Sequence, residues 1–376
     1  MKMYLKGINK MIQYPDYNNS LVNLACSILK HYKAPYQHKT LPLMDTLLAK
    51  NYKNVVVILL DGMGVDALER HLPEESFLRS HMRARISSVF PPTTTAATTT
   101  LETGLTPAEH GWLGWCLYFP EIDKSVNAFM NTLKDSYTVA ENYHVATKYL
   151  PYTSIYDKIN ETGKAKAYSV SPFGSNKVAN HVEMFTEVKR LCEEEGSKYI
   201  YAYATEPDNT MHDTGCDSED TRKWCAELNY RVEEMCKVIG NTLLIVTADH
   251  GHCNLRHYRL SDYPDLMKML IRPTSIETRA ISFFVKEEYL DGFADEFNKY
   301  FGEEFLLFPK QEVIRRELFG DGERHPKFDD MIGDFLAVAI ADAEIVQDRK
   351  SKQFVSSHAG LTKQEMEVPF IVVELQ

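Results

Sequence analysis

Long apolar runs are missing from this chain. Its longest purely aliphatic stretch, Val55 to Leu60, falls far short of the roughly 20 residues that span a bilayer. The lysine-punctuated stretch Met1 to Pro15 holds no apolar core of signal-peptide length. The seven cysteines (Cys26, Cys116, Cys192, Cys216, Cys225, Cys236, Cys253) include no Cys-x-x-Cys pair, which argues against a zinc-thiolate site. Their odd number and scattered placement fit reduced thiols better than a disulfide framework. A cytoplasmic protein is therefore expected. Positive charge is in deficit too, with 42 Lys+Arg against 53 Asp+Glu and a formal net charge of −11. That disfavours a long nucleic acid or an anionic membrane surface as partner, and an acidic chain acting on an anion needs a cation to mediate. No repeat of roughly 20 to 50 residues is visible, and the only low-complexity tract is Thr93 to Thr100.

What is present is an ordinary folded composition, 44% hydrophobic and 25% charged over 376 residues. Six short β-branched or aliphatic runs read as buried strands: Val55 to Leu60, Arg83 to Val89, Lys166 to Val170, Tyr199 to Ala204, Thr242 to Thr247 and Val368 to Val373. Between them lie helical periodicities such as Ser218 to Val238, where Trp224, Leu228, Val232 and Met235 recur at three- and four-residue steps. Strands alternating with helices predict an α/β fold, a doubly wound, mainly parallel sheet with helices on both faces. Residues 275–345 break this rhythm, with Ala280 to Val285, an amphipathic stretch Tyr289 to Phe301 and Phe335 to Ile340. They are expected to form a smaller inserted α+β cap on a core made of 1–274 and 346–376.

The chemistry gathers just beyond the predicted strands. Val55 to Leu60 runs into Asp61-Gly62-Met63-Gly64, which superficially resembles a dinucleotide fingerprint. However, the next strand candidate ends in Val89-Phe90-Pro91 and supplies no acidic residue, and Asp61 itself would repel a pyrophosphate. A carboxylate at this switch point suits a metal instead. Tyr199 to Ala204 leads to Asp208-x-x-x-His212, a spacing that puts both side chains on one face of a helical turn. Thr242 to Thr247 leads to Asp249-His250, and His358 precedes the last strand. Carboxylates mixed with imidazoles are the ligand set of Zn²⁺ or Mn²⁺. Two divalent ions would be balanced by three aspartates and one deprotonated hydroxyl. That hydroxyl is sought in Pro91-Pro92-Thr93-Thr94-Thr95, where prolines stop the preceding chain from entering a helix that can begin right after them. There a threonine would meet unpaired N–H groups and the positive end of a helix dipole.

Together these motifs resemble the alkaline phosphatase superfamily, specifically its type I phosphodiesterase and nucleotide pyrophosphatase branch. The resemblance is carried by Leu60-Asp61-Gly62, Phe90-Pro91-Pro92-Thr93-Thr94, Thr103-Gly104-Leu105 through His110-Gly111, Asp208-x-x-x-His212, Ala248-Asp249-His250-Gly251 and His358-Ala359-Gly360-Leu361-Thr362, in that order. It implies a hydrolase of small-molecule phosphate esters with two metal ions, zinc first and manganese as the other choice. Asp61, Thr94, Asp249 and His250 would hold one ion, and Asp208, His212 and His358 the other. The family's spacing back from Thr103 points to Thr94 as nucleophile, with Thr93 and Thr95 as the alternatives. In the implied mechanism Thr94 attacks phosphorus in line and water then cleaves the phospho-threonine.

The resemblance has departures. Trp115 stands where typical members carry an Asn that binds a non-bridging oxygen, and Asn127 or Asn131 is a possible substitute. The motif around His358, followed by Val368-Pro369, is also similar to that of the superfamily's mutases. A phosphomonoesterase, phosphonate hydrolase or phosphomutase is therefore the alternative activity, and a metal-stabilised binding protein without catalysis is the alternative class. Oligomeric state is not readable from the sequence.

Overall fold

The computed structural model describes residues 12–376. The segment 1–11, and with it most of the stretch read above for a signal peptide, lies outside the described residues. Seven strands build the main sheet: β1 (Asn54–Leu60), β2 (Met82–Ser87), β3 (Lys166–Ser171), β4 (Asn176–Lys177), β5 (Lys198–Ala204), β6 (Thr242–Thr247) and β7 (Glu367–Leu375). Their spatial order is β2-β7-β6-β1-β5-β3-β4. β1 pairs in parallel with β5 and β6, and β3 in parallel with β5 and β4. β7 is antiparallel to both its neighbours. The expected α/β class with a mainly parallel sheet is the observed one. Every residue of β1 is buried, as an uninterrupted aliphatic run requires of a strand covered on both faces. β2, at the edge, begins by alternating between half-buried and exposed.

The helices follow the same logic. In Glu219–Cys236 the Ser218 side chain caps Thr221 N, and Glu219 and Asp220 lie in the first turn, against the positive end of the dipole. Thr221, Cys225, Leu228, Val232 and Met235 form its buried face, at steps of three and four.

A second sheet of seven strands is built from Phe305–Pro309, Phe335–Ala339, Ala280–Phe283, Ser275–Ile276, Cys116–Phe119, Lys124–Asn127 and Thr132–Leu133, in that order. Side chains alternate along Phe335–Ala339. Phe335, Ala337 and Ala339 join Phe283, Phe293, Phe297 and Phe301 on one face, and Leu336 and Val338 join Phe119, Val126 and Phe328 on the other. This sheet therefore draws on 116–133 as well as on 275–339. Among the described residues no helix is long and apolar enough to cross a membrane.

Candidate functional site

The parallel pairing brings the motif loops together. Leu60 lies opposite Ala204 and Leu59 opposite Thr247, so β1, β5 and β6 release their chains at one level. Asp61 N donates to Ala204 O at 3.0 Å, Asp208 N to Asp61 O at 3.1 Å, and Gly62 N to Asp249 Oδ1 at 3.1 Å. Two glycines permit the approach: a Cβ on Gly64 would sit 2.6 Å from Gly251 Cα, and one on Gly251 only 2.0 Å from Gln364 O. A short antiparallel pair, Cys253–Asn254 with Ser356–Ser357, brings His252 and His358 to the same place.

All seven residues expected from the sequence meet there. The ligand atoms of Asp61, Asp249 and His250 lie within 4.8 Å of one another, as do those of Asp208, His250, His252 and His358. His250 Nε2 is 3.4 Å from both Asp61 Oδ1 and Asp249 Oδ2. Asp208 Oδ1 is 3.4 Å from His212 Nε2, 3.8 Å from His358 Nε2 and 2.6 Å from His252 Nε2. His252 is an eighth member of the cluster.

Hydrogen bonds decide how each ring presents itself. His212 Nδ1 faces Ser356 O at 2.8 Å, His250 Nδ1 faces Gly251 O at 3.1 Å and His358 Nδ1 faces Pro92 O at 3.2 Å. A carbonyl oxygen only accepts, so each Nδ1 carries the proton and each Nε2 turns a lone pair into the cluster, the arrangement a metal requires of imidazole. His252 is the reverse, because its Nε2 faces a carboxylate oxygen of Asp208 and must donate to it. It orients Asp208 instead of offering a ligand.

The electrostatics call for a cation. Burial, then Asp249 and Asp208, push the Asp61 carboxyl well above its ordinary range, although the Tyr203 hydroxyl donates to it. Burial would raise Asp208 as well, but His212 and the hydrogen bond from His252 hold it well below its usual value. Burial drives His252 down to about 4 and His358 well below the ordinary histidine range, so both rings are neutral at physiological pH. Asp249 Oδ2 is sealed from solvent with no hydrogen-bond partner among the described residues. An orphaned carboxylate oxygen beside a second buried aspartate is costly without a positive charge, and the donor set fits a divalent ion.

The threonine run separates its members by environment. Thr94 opens the helix Thr94–Thr103, with Thr93 as N-cap, and from Phe90 to Leu101 it is the one residue that is not buried. Its Oγ1 lies 3.5 Å from Asp61 Oδ1 and 3.2 Å from His250 Nε2. The Thr93 hydroxyl is spent on Glu277 Oε1 at 2.6 Å, and Thr95 Oγ1 is buried without a partner among the described residues. Neither amide proposed as a stand-in for the family Asn is free. Asn127 Nδ2 donates to Thr132 Oγ1 and Leu133 O, and Asn131 Nδ2 to Glu141 O and Tyr143 O. Trp115 is 39% exposed.

A sequence model of the family "type I phosphodiesterase / nucleotide pyrophosphatase" matches residues 55–363. The chain belongs to this family. It is accordingly a phosphoric ester hydrolase, and its buried Asp and His clusters have the donor set of a metal site. A search of the curated protein sequences found no match. Among solved structures, murine ectonucleotide pyrophosphatase/phosphodiesterase 5 shares the fold with a TM-score of 0.66 at 20% identity, over 85% of this chain and 88% of its own. A second structure of the murine protein is an inactive threonine-to-alanine variant in complex with AMP, with a TM-score of 0.66 at 20% identity over 85% and 87% of the two chains. Phosphonoacetate hydrolase from Sinorhizobium meliloti 1021, in complex with phosphonoformate, gives a TM-score of 0.62 at 15% identity, over 85% and 90%. For this family member they establish the fold, and its substrate has to be argued from the site.

Proposed function

We propose that the chain is a phosphodiesterase or nucleotide pyrophosphatase that works through a phospho-threonine at Thr94 with two divalent ions, zinc in preference to manganese. Asp61, Thr94, Asp249 and His250 would hold one ion, and Asp208, His212 and His358 the other. The observation that carries the reading is the Thr94 hydroxyl, the single open one in its run, facing both Asp61 and His250 at the N-terminus of a ten-residue helix. The inactive threonine-to-alanine variant of the murine protein, bound to AMP, supports it.

When bound, the ions neutralise the three aspartates, favour the ionised form of the Thr94 hydroxyl and stabilise the departing oxygen. The chain's own residues do the rest. The helix N-terminus directs unpaired N–H groups at the incoming phosphoryl group. His212, His250 and His358 are held with Nε2 inward by their carbonyl partners, and His252 fixes the rotamer of Asp208. The substrate is a small phosphate ester, and no membrane or long nucleic acid takes part. The seven free cysteines favour a reducing compartment, the cytoplasm.

A second reading, hydrolysis of phosphomonoesters or phosphonates at the same site, is favoured by Trp115 and by the engaged amides of Asn127 and Asn131. Turnover of bis-p-nitrophenyl phosphate and p-nitrophenyl phosphate at equal concentration separates the two. Faster diester turnover is expected, and a faster monoester rate would transfer the conclusion to the second reading. Thr94→Ala is expected to reduce turnover by about three orders of magnitude or more; an unimpaired variant would remove Thr94 as nucleophile.

A further inference from the structure

One carboxyl beside this site has no role in the mechanism above. Glu277 lies in the turn between the second-sheet strands Ser275–Ile276 and Ala280–Phe283, 184 residues from Thr93 in sequence. The preceding residue, Ile276, has a φ of 76°. A β-branched residue in the left-handed region is strained, and such strain persists where packing over-determines it. Here the packing comes from Gly114, where an added Cβ would be 2.8 Å from both Ile276 Cγ2 and Ile276 O. The turn is thus pressed against the chain just before Trp115.

The half-buried Glu277 side chain then makes a divided contact. Oε1 accepts from the Thr93 hydroxyl at 2.6 Å and from Trp115 N at 2.7 Å. Oε2 has no hydrogen-bond partner among the described residues and is not sealed from solvent. Thr93 caps the nucleophile helix, and Trp115 stands where the family's Asn is expected. Both halves of the cluster act on its charge, His250 favouring the anion and Asp208 opposing it. Across the sheet the preceding Ile276 pairs with Cys116, a thiol that burial holds in its neutral form.

We propose that Glu277 supplies the contact for which typical family members use Asn: Oε1 ties Thr93 to Trp115, and Oε2, as an O–H donor, binds a non-bridging oxygen of the phosphoryl group. This goes beyond the reading above but rests on it for the location of the phosphoryl group. Two accepted hydrogen bonds on Oε1 leave Oε2 as the oxygen that carries the proton. Burial, opposed by the Thr93 and Trp115 hydrogen bonds, pushes the carboxyl up to about 7. The donor is therefore present below that pH and lost above it, where the anion would instead repel the substrate.

The test uses the zinc-loaded chain and sulfate, a tetrahedral anion whose charge is constant between pH 6 and pH 8, titrated by calorimetry. Glu277→Gln keeps an acceptor for Thr93 and Trp115 and donates at every pH, so any titration of the metal ligands cancels between it and the native chain. The native affinity is expected to fall more steeply than that of Glu277→Gln as pH rises from 6 to 8, by as much as about tenfold where the carboxyl keeps its metal-free value. Glu277→Ala is expected to bind about 10- to 100-fold more weakly than the native chain at pH 6. Equal pH dependence in native and Glu277→Gln, unchanged affinity in Glu277→Ala, or no sulfate binding by the native chain would each overturn the proposal. A single cooperative thermal transition in each variant checks that it folds. If the sulfate result holds while no ester is hydrolysed, the enzymatic reading fails and the anion contact stands. If Thr94-dependent hydrolysis is found without the sulfate effect, the Glu277 inference alone falls.

Discussion

Replacing Glu365 with glutamine tests how the second sheet holds the His358 loop. Glu365 and Arg279 are both fully buried. Arg279 Nε and Nη2 each donate to one carboxylate oxygen at 2.7 Å, and Nη1 donates to Ala341 O and Ala343 O at 3.0 and 2.6 Å. Glu365 also accepts from Gly360 N at 2.7 Å and from Thr362 N and Oγ1 at 3.3 and 2.5 Å. One carboxylate therefore anchors the turn directly after His358 and neutralises a guanidinium sealed from water. Glutamine preserves the shape but sets an N–H₂ group against one of these donors and leaves the guanidinium charge uncompensated. Breaking one side of a buried pair costs about 3–5 kcal/mol. For a chain of 376 residues that is a fall of about 5 °C in Tm. The pH dependence has a definite sign. Burial alone would raise Glu365, but the charge and hydrogen bonds of Arg279 hold it below the ordinary 4.5. A carboxyl depressed by folding stabilises the fold above its unfolded pKa and loses that contribution as pH falls through the folded value. The gap in Tm between native and Glu365→Gln is thus expected in full at pH 7 and to narrow below about pH 4.5. Differential scanning calorimetry at both pH values, with zinc affinity measured by competition against a chromophoric chelator, reads both effects. A Tm within 1 °C of native at pH 7, with unaltered zinc affinity, would refute the argument that this pair anchors the loop.

Three further outcomes are expected. Gly251→Ala forces its Cβ onto Gln364 O, 2.0 Å away. It should destabilise the fold by about 1–3 kcal/mol and weaken metal binding, measured by urea unfolding and zinc titration. Glu277, raised from 4.5 to about 7, opposes folding once it must ionise. Glu277→Gln should match the native chain in stability near pH 4 and exceed it by up to about 3 kcal/mol at pH 8, as urea midpoints will show. Removing metal with a chelator should lower Tm and abolish ester hydrolysis, both restored by excess Zn²⁺. At free zinc 100-fold above Kd each site adds about 2.7 kcal/mol, and an unchanged Tm after complete removal would argue against resident ions.

The residues that the sequence singled out sit in local patterns. Val55 to Leu60 and Thr242 to Thr247 are strands because uninterrupted aliphatic runs of that length bury on both faces, and β1 and β6 follow them closely. A loop that leaves such a strand opens at its carboxyl end wherever the neighbours are parallel, so Asp61, Asp208 and Asp249 could be assigned to one crevice before any coordinates. The short strands at Cys116–Phe119 and Lys124–Asn127 were not legible. Four residues carry too little periodicity, and they become strands by pairing with each other, from Cys116 opposite Asn127 to Phe119 opposite Lys124.

The sequence by itself determined the fold class, the family and the set of carboxylates, imidazoles and threonines at the strand ends, because each is written within a few consecutive residues. Only the tertiary structure decided what those groups do to one another. It separated Thr94 from Thr93 and Thr95 by which hydroxyl remained open, and it made His252 a donor to Asp208. It also brought Glu277 to Thr93 across 184 residues. Partners that distant are selected by the packing of whole sheets, and no local pattern encodes them.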